Sequence, residues 1–309
     1  MDLTVDLAPQ HKTELRLRNP ILTASGTFSN GLEIAKHYDV GQLGALVSKG
    51  TTLRPRRGNG TPRTVETPAG MINSIGFQNI GVSALIKTLA PVWERWDVPV
   101  IVNIMGETLE EYGVLAARLE GVPGVAGLEV NVSCPNVEAG GLEFGQVPAQ
   151  AASVVREVAA NSSLPQIVKL TPNVSDIRPI AEAVQDAGAQ GITVSNTIPA
   201  MAIDIRRRRP VLATGFGGLS GPAVKPVALR NVYLASSVVD IPVVASGGAM
   251  SGTDVVEFVM AGATAVQIGT ATFLDPAAPW RILEEFEAWC DAEGVTCVDE
   301  IRGVARRRD

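Results

Sequence analysis

Eight short apolar runs, most of them closed by glycine or a polar residue, recur along the chain. They are Ile21–Gly26, Ala45–Gly50, Val98–Met105, Gly127–Cys134, Gln166–Thr171, Gly191–Thr197, Pro242–Gly248 and Ala265–Thr270. Continuous apolar runs bounded by turn residues suit strands buried on both faces. Helical patterns fill connections between them, at Glu110–Glu120, Ala149–Ala160, Ile177–Ala187 and Gly252–Ala261. Strands that alternate with helices imply a parallel sheet. Eight such units fit a closed (β/α)8 (TIM) barrel better than an open sheet, and the 309 residues are expected to form a single barrel domain over 1–309.

Two connections exceed what one helix needs, Thr51–Asp97 and Ile198–Asp240. They follow strands 2 and 6. With the loop after strand 4, they are expected to cover the C-terminal face of the barrel. Long loops in that position are usually functional.

The strand ends are unusually polar. In order they carry Ser25, Lys49, Asn103, Asn131 with Cys134, Lys169, Asn196 with Thr197, Gly247-Gly248, and Gly269-Thr270. The active site of this fold lies at those ends. Each buried amide or ammonium left unpaired costs on the order of 2–7 kcal/mol. The ring therefore implies a ligand rich in donors and acceptors.

The glycines ending strands 7 and 8 can bring backbone N–H groups close to an anion, at a place where barrels often bind phosphate. Tight turns use the same residues, so the joint placement matters more than either pair. Lys169 is either a lysine paired with a buried carboxylate such as Glu129, or a fixed charge beside a developing anion; both can hold together. A lone cysteine is most often a small buried hydrophobe. That reading suits Cys290 and Cys297, in and after the last helix. Cys134 differs, because it ends a strand among polar residues.

Charge and composition exclude other classes. The chain has 26 Lys and Arg against 32 Asp and Glu, a net charge of -6, which disfavours nucleic acid. The run Arg206–Arg209 reads as a solvated or partner-facing loop. Three cysteines without CxxC spacing give no disulfide framework, metal site or iron–sulfur site. The two histidines, His11 and His37, lie away from the strand ends, so no Cys–His pair is expected. No basic and apolar leader and no apolar run of about 18 residues appear, so a cytoplasmic, non-membrane protein is expected.

The motifs at these positions resemble one family along nearly the whole chain. They are NPILTASGTF (Asn19–Phe28), Ser48-Lys49-Gly50, NSIGFQN (Asn73–Asn79), NVSCPN (Asn131–Asn136), GGLEFG (Gly140–Gly145), Asn196-Thr197, MAIDI (Met201–Ile205), GGLSGP (Gly217–Pro222) and KPVALR (Lys225–Arg230). The chain resembles the class 1 dihydroorotate dehydrogenases, most closely the class 1B, NAD-linked catalytic subunits. Ile75, Gln78 and the GGLEFG stretch carry the choice of 1B over 1A. Phe77 departs from the family's usual leucine, and Arg206–Arg209 are more basic than its usual loop.

The resemblance implies oxidation of (S)-dihydroorotate to orotate in pyrimidine (UMP) biosynthesis, with one FMN per chain. By position, Ser25, Lys49, Gly50, Asn103, Asn131, Lys169, Ser195, Gly221, Gly247, Gly248, Gly269 and Thr270 match flavin contacts. Lys49, Asn73, Ser74, Ile75, Gly76, Phe77, Asn131, Asn196 and Thr197 match substrate contacts. Cys134 matches the catalytic base that removes the C5 proton while the C6 hydride passes to FMN. Lys169 would sit near the flavin as a compensating positive charge. No GxGxxG follows a strand and no cysteine cluster exists. NAD+ use then implies a partner subunit carrying FAD and a [2Fe-2S] cluster, around a homodimeric core. The alternatives are a 1A-like homodimer that uses fumarate, a non-redox phosphate-binding barrel, and a catalytically dead flavin scaffold.

Overall fold

A computed structural model describes residues 1–133, 135–136 and 142–306. The eight expected segments form one eight-stranded sheet. Its strands are β1 (Ile21–Thr23), β2 (Leu46–Val47), β3 (Val100–Ile104), β4 (Gly127–Asn131), β5 (Gln166–Lys169), β6 (Gly191–Val194), β7 (Val243–Ser246) and β8 (Ala265–Ile268). From β2 to β8 each strand pairs parallel with the next, and β8 pairs parallel with β1. The ring closes between β1 and β2 through a parallel bridge of Leu22 with Ala45. Val47 N also donates to Thr23 Oγ1 at 3.0 Å across this seam. The fold is the expected (β/α)8 barrel. Every residue of β3 to β8 is buried, which is why these strands read as continuous apolar runs.

Outer helices span Leu109–Leu119, Pro148–Asn161, Arg178–Asp186, Lys225–Ala235, Gly252–Ala261 and Ala278–Glu293. The four expected from periodicity lie within one residue of their places. The helix Gly252–Ala261 shows why. Ser251 and Asp254 form a capping box at its start, and Gly262, at φ 119°, ends it in a left-handed turn. Between them Val255, Val256, Phe258 and Val259 are buried against the barrel.

One unit departs from the pattern. Between β1 and β2 there is no α-helix, only the 3-10 turns Ile34–Lys36 and Val40–Gln42. The C-terminal helix Ala278–Glu293 occupies that flank instead. Its Trp280 stacks on Tyr38 at 4.8 Å and donates Nε1–H to Asp39 O at 2.8 Å.

The two mouths of the barrel are closed differently. At the N-terminal mouth, Val5–Asp6 and Arg16–Leu17 form an antiparallel hairpin. Its Leu7 and Leu15 reach the strand starts: a Cβ on Gly191 would lie 3.3 Å from Leu7 O, and one on Gly127 3.4 Å from Leu15 Cδ2. At the C-terminal mouth the long connections after β2 and β6 build a four-stranded antiparallel sheet. Thr64–Thr67 pairs with Gly70–Asn73, which pairs with Gly217–Ser220, which pairs with Ile198–Ala200. The loop after β4 falls partly outside the described residues. Among the described residues no helix is long and apolar enough to cross a membrane.

Candidate active site

Beneath the four-stranded sheet, at the C-terminal ends of the barrel strands, lies a cavity of about 660 Å³. Around its wall stand Ser25 after β1, Lys49 and Gly50 after β2, Asn103 on β3, Asn131 on β4 and Lys169 on β5. Ser195, Asn196 and Thr197 follow β6, Gly247 and Gly248 follow β7, and Gly269 and Thr270 follow β8. The long loops add Asn73 to Phe77 and Gly221. Of the site residues named from sequence, only Cys134 lies outside the described residues. Neither His11 nor His37 lines the cavity.

The cavity floor is a buried hydrogen-bond network. Glu129, 1 % exposed on β4, accepts from Asn103 Nδ2 at 2.6 Å, from Thr193 Oγ1 at 3.0 Å and from Gln267 Nε2. Lys169 Nζ lies 3.7 Å from Glu129 Oε1 and donates at 3.3 Å to both Ser25 Oγ and Gln267 Oε1. The counter-charge expected for Lys169 is therefore Glu129. A buried pair survives only when its remaining valences are filled, and here three neutral donors fill them. Sequence reading missed Gln267 and Thr193. Their signal is a polar residue facing inward from the middle of an apolar strand, in AVQI and GITV.

Lys49 is different. Among the described residues no carboxylate lies within ion-pair distance of its ammonium. Burial holds it below its ordinary value of 10.5, and the nearby Arg63 charge pushes it the same way. Arg63 itself donates to Gln78 Oε1 at 2.6 Å and to Asn59 O at 3.4 Å. Two neighbouring cations, neither with a paired anion among the described residues, favour an anionic ligand beside Lys49.

Amides line the opposite wall. Asn131 Oδ1 accepts from Ser133 N at 3.1 Å and from Asn196 Nδ2 at 3.5 Å. Tyr112 Oη donates to Asn131 O at 2.6 Å, so this residue is fixed by main chain and side chain. Asn196 Oδ1 in turn accepts from Thr197 N at 2.8 Å. Among the described residues Ser74 Oγ, Ser133 Oγ and Asn103 Oδ1 are buried without a hydrogen-bond partner, and all three residues line the cavity. Unpaired buried polar atoms around one cavity mark places where a ligand supplies the missing partner.

At the β7–β8 end the wall is bare backbone. Gly248, at φ 84°, has Gly221 O and Lys225 N each 2.8 Å from where a Cβ would stand. Gly221, at φ 95°, would place a Cβ 2.7 Å from Gly70 Cα. Only glycine fits either position, and main-chain groups are left to meet a ligand, as phosphate sites require. Thr270 Oγ1 and Ser220 Oγ join across this end at 2.8 Å. An elongated ligand with a polar ring at one end and a phosphate at the other fits this donor set.

The family model described as dihydroorotate dehydrogenase matches residues 9–289. The chain is 53% identical over 290 residues to a protein of Geobacter sp. (strain M21), covering 94% of this chain and 95% of that protein. It is 52% identical over 293 residues to one from Desulforudis audaxviator, covering 95% of each. A protein of Geotalea uraniireducens is 50% identical over 303 residues, or 98% of each chain. All three carry the name dihydroorotate dehydrogenase B (NAD(+)), catalytic subunit.

Proposed function

The chain belongs to the dihydroorotate dehydrogenase family, and from that premise we propose that it oxidises (S)-dihydroorotate to orotate in pyrimidine (UMP) biosynthesis. The observation that carries this reading is a Lys49 with no carboxylate partner among the described residues, set with a ring of amides around one cavity. Dihydroorotate is a small cyclic amide bearing one carboxylate, and that donor set is complementary to it. FMN fits the rest of the cavity: the glycine wall at Gly221, Gly247, Gly248 and Gly269 suits its phosphate, and the unpaired Asn103 Oδ1 suits a ring N–H. Bound FMN supplies the acceptor for the hydride from C6.

The chain's own groups do the remainder. Cys134 takes the C5 proton. Asn73, Asn131 and Asn196 hold the substrate ring, with Ser74 to Phe77 and Thr197 completing its pocket. Lys49 pairs with the carboxylate, and Lys169, balanced by Glu129, keeps a fixed charge at the floor. The sheet formed from Gly70–Asn73 and Gly217–Ser220 contributes lining residues to the cavity and stands over the bound ring.

The electrons leave to NAD+ through a separate subunit that carries FAD and a [2Fe-2S] cluster. The relatives' names, which specify a catalytic subunit of an NAD(+) enzyme, support this. The three cysteines of this chain offer no cluster ligands of their own. A homodimeric core in the cytoplasm completes the proposal. The exposed apolar side chains of Met201, Ile203 and Ile205 suit contact with another chain.

The test is optical. The purified full chain is expected to be yellow and to bleach anaerobically on addition of dihydroorotate. Colour should return with NAD+ only when the partner subunit is present, and fumarate should not restore it. A colourless protein, or a yellow one that dihydroorotate leaves unbleached, overturns the reading.

A further inference from the structure

The buried carboxylate of Glu129 does not line the cavity, yet every polar side chain of the floor is arranged around it. An ionised carboxylate can only accept hydrogen bonds. The amide of Asn103 must therefore turn Nδ2 toward Glu129, 2.6 Å away, and its Oδ1 away from it. That oxygen is left buried and, among the described residues, without a partner, on a side chain 1 % exposed. The residue beside it is Gly50, where a Cβ would lie 3.0 Å from Asn103 Oδ1; glycine leaves that face open. Gln267 is turned the same way, giving Nε2 to Glu129 and Oε1 to Lys169.

We propose that Glu129 is a positioning residue that fixes the hydrogen-bond polarity of the cavity floor, locking Asn103 as an acceptor so that the site selects a ring presenting an N–H there. This rests on FMN being the cavity's ligand. Oxidised isoalloxazine carries a single ring N–H, at N3, flanked by two carbonyls. One locked acceptor beside donors from Lys49 and Lys169 is the complementary pattern. A neutral side chain at 129 would let the Asn103 amide rotate and offer either end, and the selectivity would go.

The experiment compares FMN with 3-deaza-FMN, in which carbon replaces N3 and no ring N–H is presented there. The flavin-stripped full chain is titrated with each, and quenching of flavin fluorescence gives the ratio of the two dissociation constants. The wild-type protein is expected to prefer FMN at least tenfold, ~1.4 kcal/mol. Glu129→Met and Asn103→Ala are each expected to reduce that preference to near unity, and the double variant to reduce it no further. A merely structural Glu129 would lower thermal stability and leave the ratio unchanged. A Glu129→Met protein that binds FMN with the wild-type ratio overturns the proposal. Should that variant not fold, Asn103→Ala decides alone: an unchanged ratio there sinks the idea, and a lost one supports it. A wild-type chain that binds no FMN removes the functional reading itself, a result distinct from binding without discrimination.

Discussion

Asn73 and Gly218 face one another in antiparallel register at the point where the loop after β2 meets the loop after β6. Asn73 Nδ2 donates to Gly218 O at 3.4 Å. A Cβ on Gly218 would stand 2.0 Å from Thr197 Oγ1. The roof of the cavity therefore depends on a missing side chain. Overpacking of this kind costs about 1–3 kcal/mol and must push Thr197 aside. Gly218→Ala is expected to lower kcat/KM for dihydroorotate at least tenfold, mainly through KM, with FMN affinity unchanged. Steady-state kinetics beside a flavin titration check it; a wild-type KM would show that Thr197 does not contact substrate.

Lys49 gives a pH signature. Its folded-state value is depressed by burial and then by Arg63, below 10.5. Between the depressed and the ordinary value the unfolded chain holds this proton and the folded chain does not, so stability rises with pH across that window. Anion binding needs the proton and runs the other way: affinity for dihydroorotate should fall as pH climbs through the depressed value. In Lys49→Met both trends should flatten, and the KM should rise on the order of a hundredfold, as expected when a partly buried charged contact is lost. Calorimetric Tm and KM measured against pH in the two proteins provide the comparison.

If Cys134 is the base, only its thiolate works. A free thiol near 8.5 is a few per cent ionised at neutral pH, so flavin reduction should accelerate with pH through that range. Cys134→Ser is expected to slow anaerobic flavin reduction by orders of magnitude while dihydroorotate still binds. Stopped-flow absorbance reads the rate directly, and wild-type reduction by the serine variant would remove Cys134 from the mechanism. Together with Lys49, this predicts a kcat/KM that rises and then falls with pH.

Cys290 should behave oppositely to a reactive thiol. It is fully buried in the helix Ala278–Glu293, and burial, then Asp291 and Glu287, push it up to about 11. At neutral pH about one molecule in ten thousand would be thiolate. Iodoacetamide is expected to leave Cys290 unmodified in the native protein and to label it after denaturation, with peptide mass spectrometry as the readout. Rapid native labelling would mean that this helix opens locally.

The barrel and the cavity residues at its strand ends could be read along the chain, because both are local in character. A strand buried on two faces writes itself as an unbroken apolar run, and a residue at its C-terminal end is at the active mouth wherever the partners lie. Ser25, Lys49, Asn103 and Lys169 needed no more than that. Folding decided what faces what. Gly70–Asn73 and Gly217–Ser220 are short and glycine-rich and carry no clear alternation, so nothing in either announces that they pair across about 145 residues. The flank beside β1, which has only 3-10 turns, is met by Trp280, a residue near the other end of the chain. Glu129 was legible as a counter-charge for Lys169, but its hold on Asn103, Thr193 and Gln267 arises only when β3, β4, β6 and β8 are brought around one axis. Hydrophobic periodicity is written within a dozen residues, whereas a hydrogen bond's direction is set by whichever atom the closed barrel places opposite.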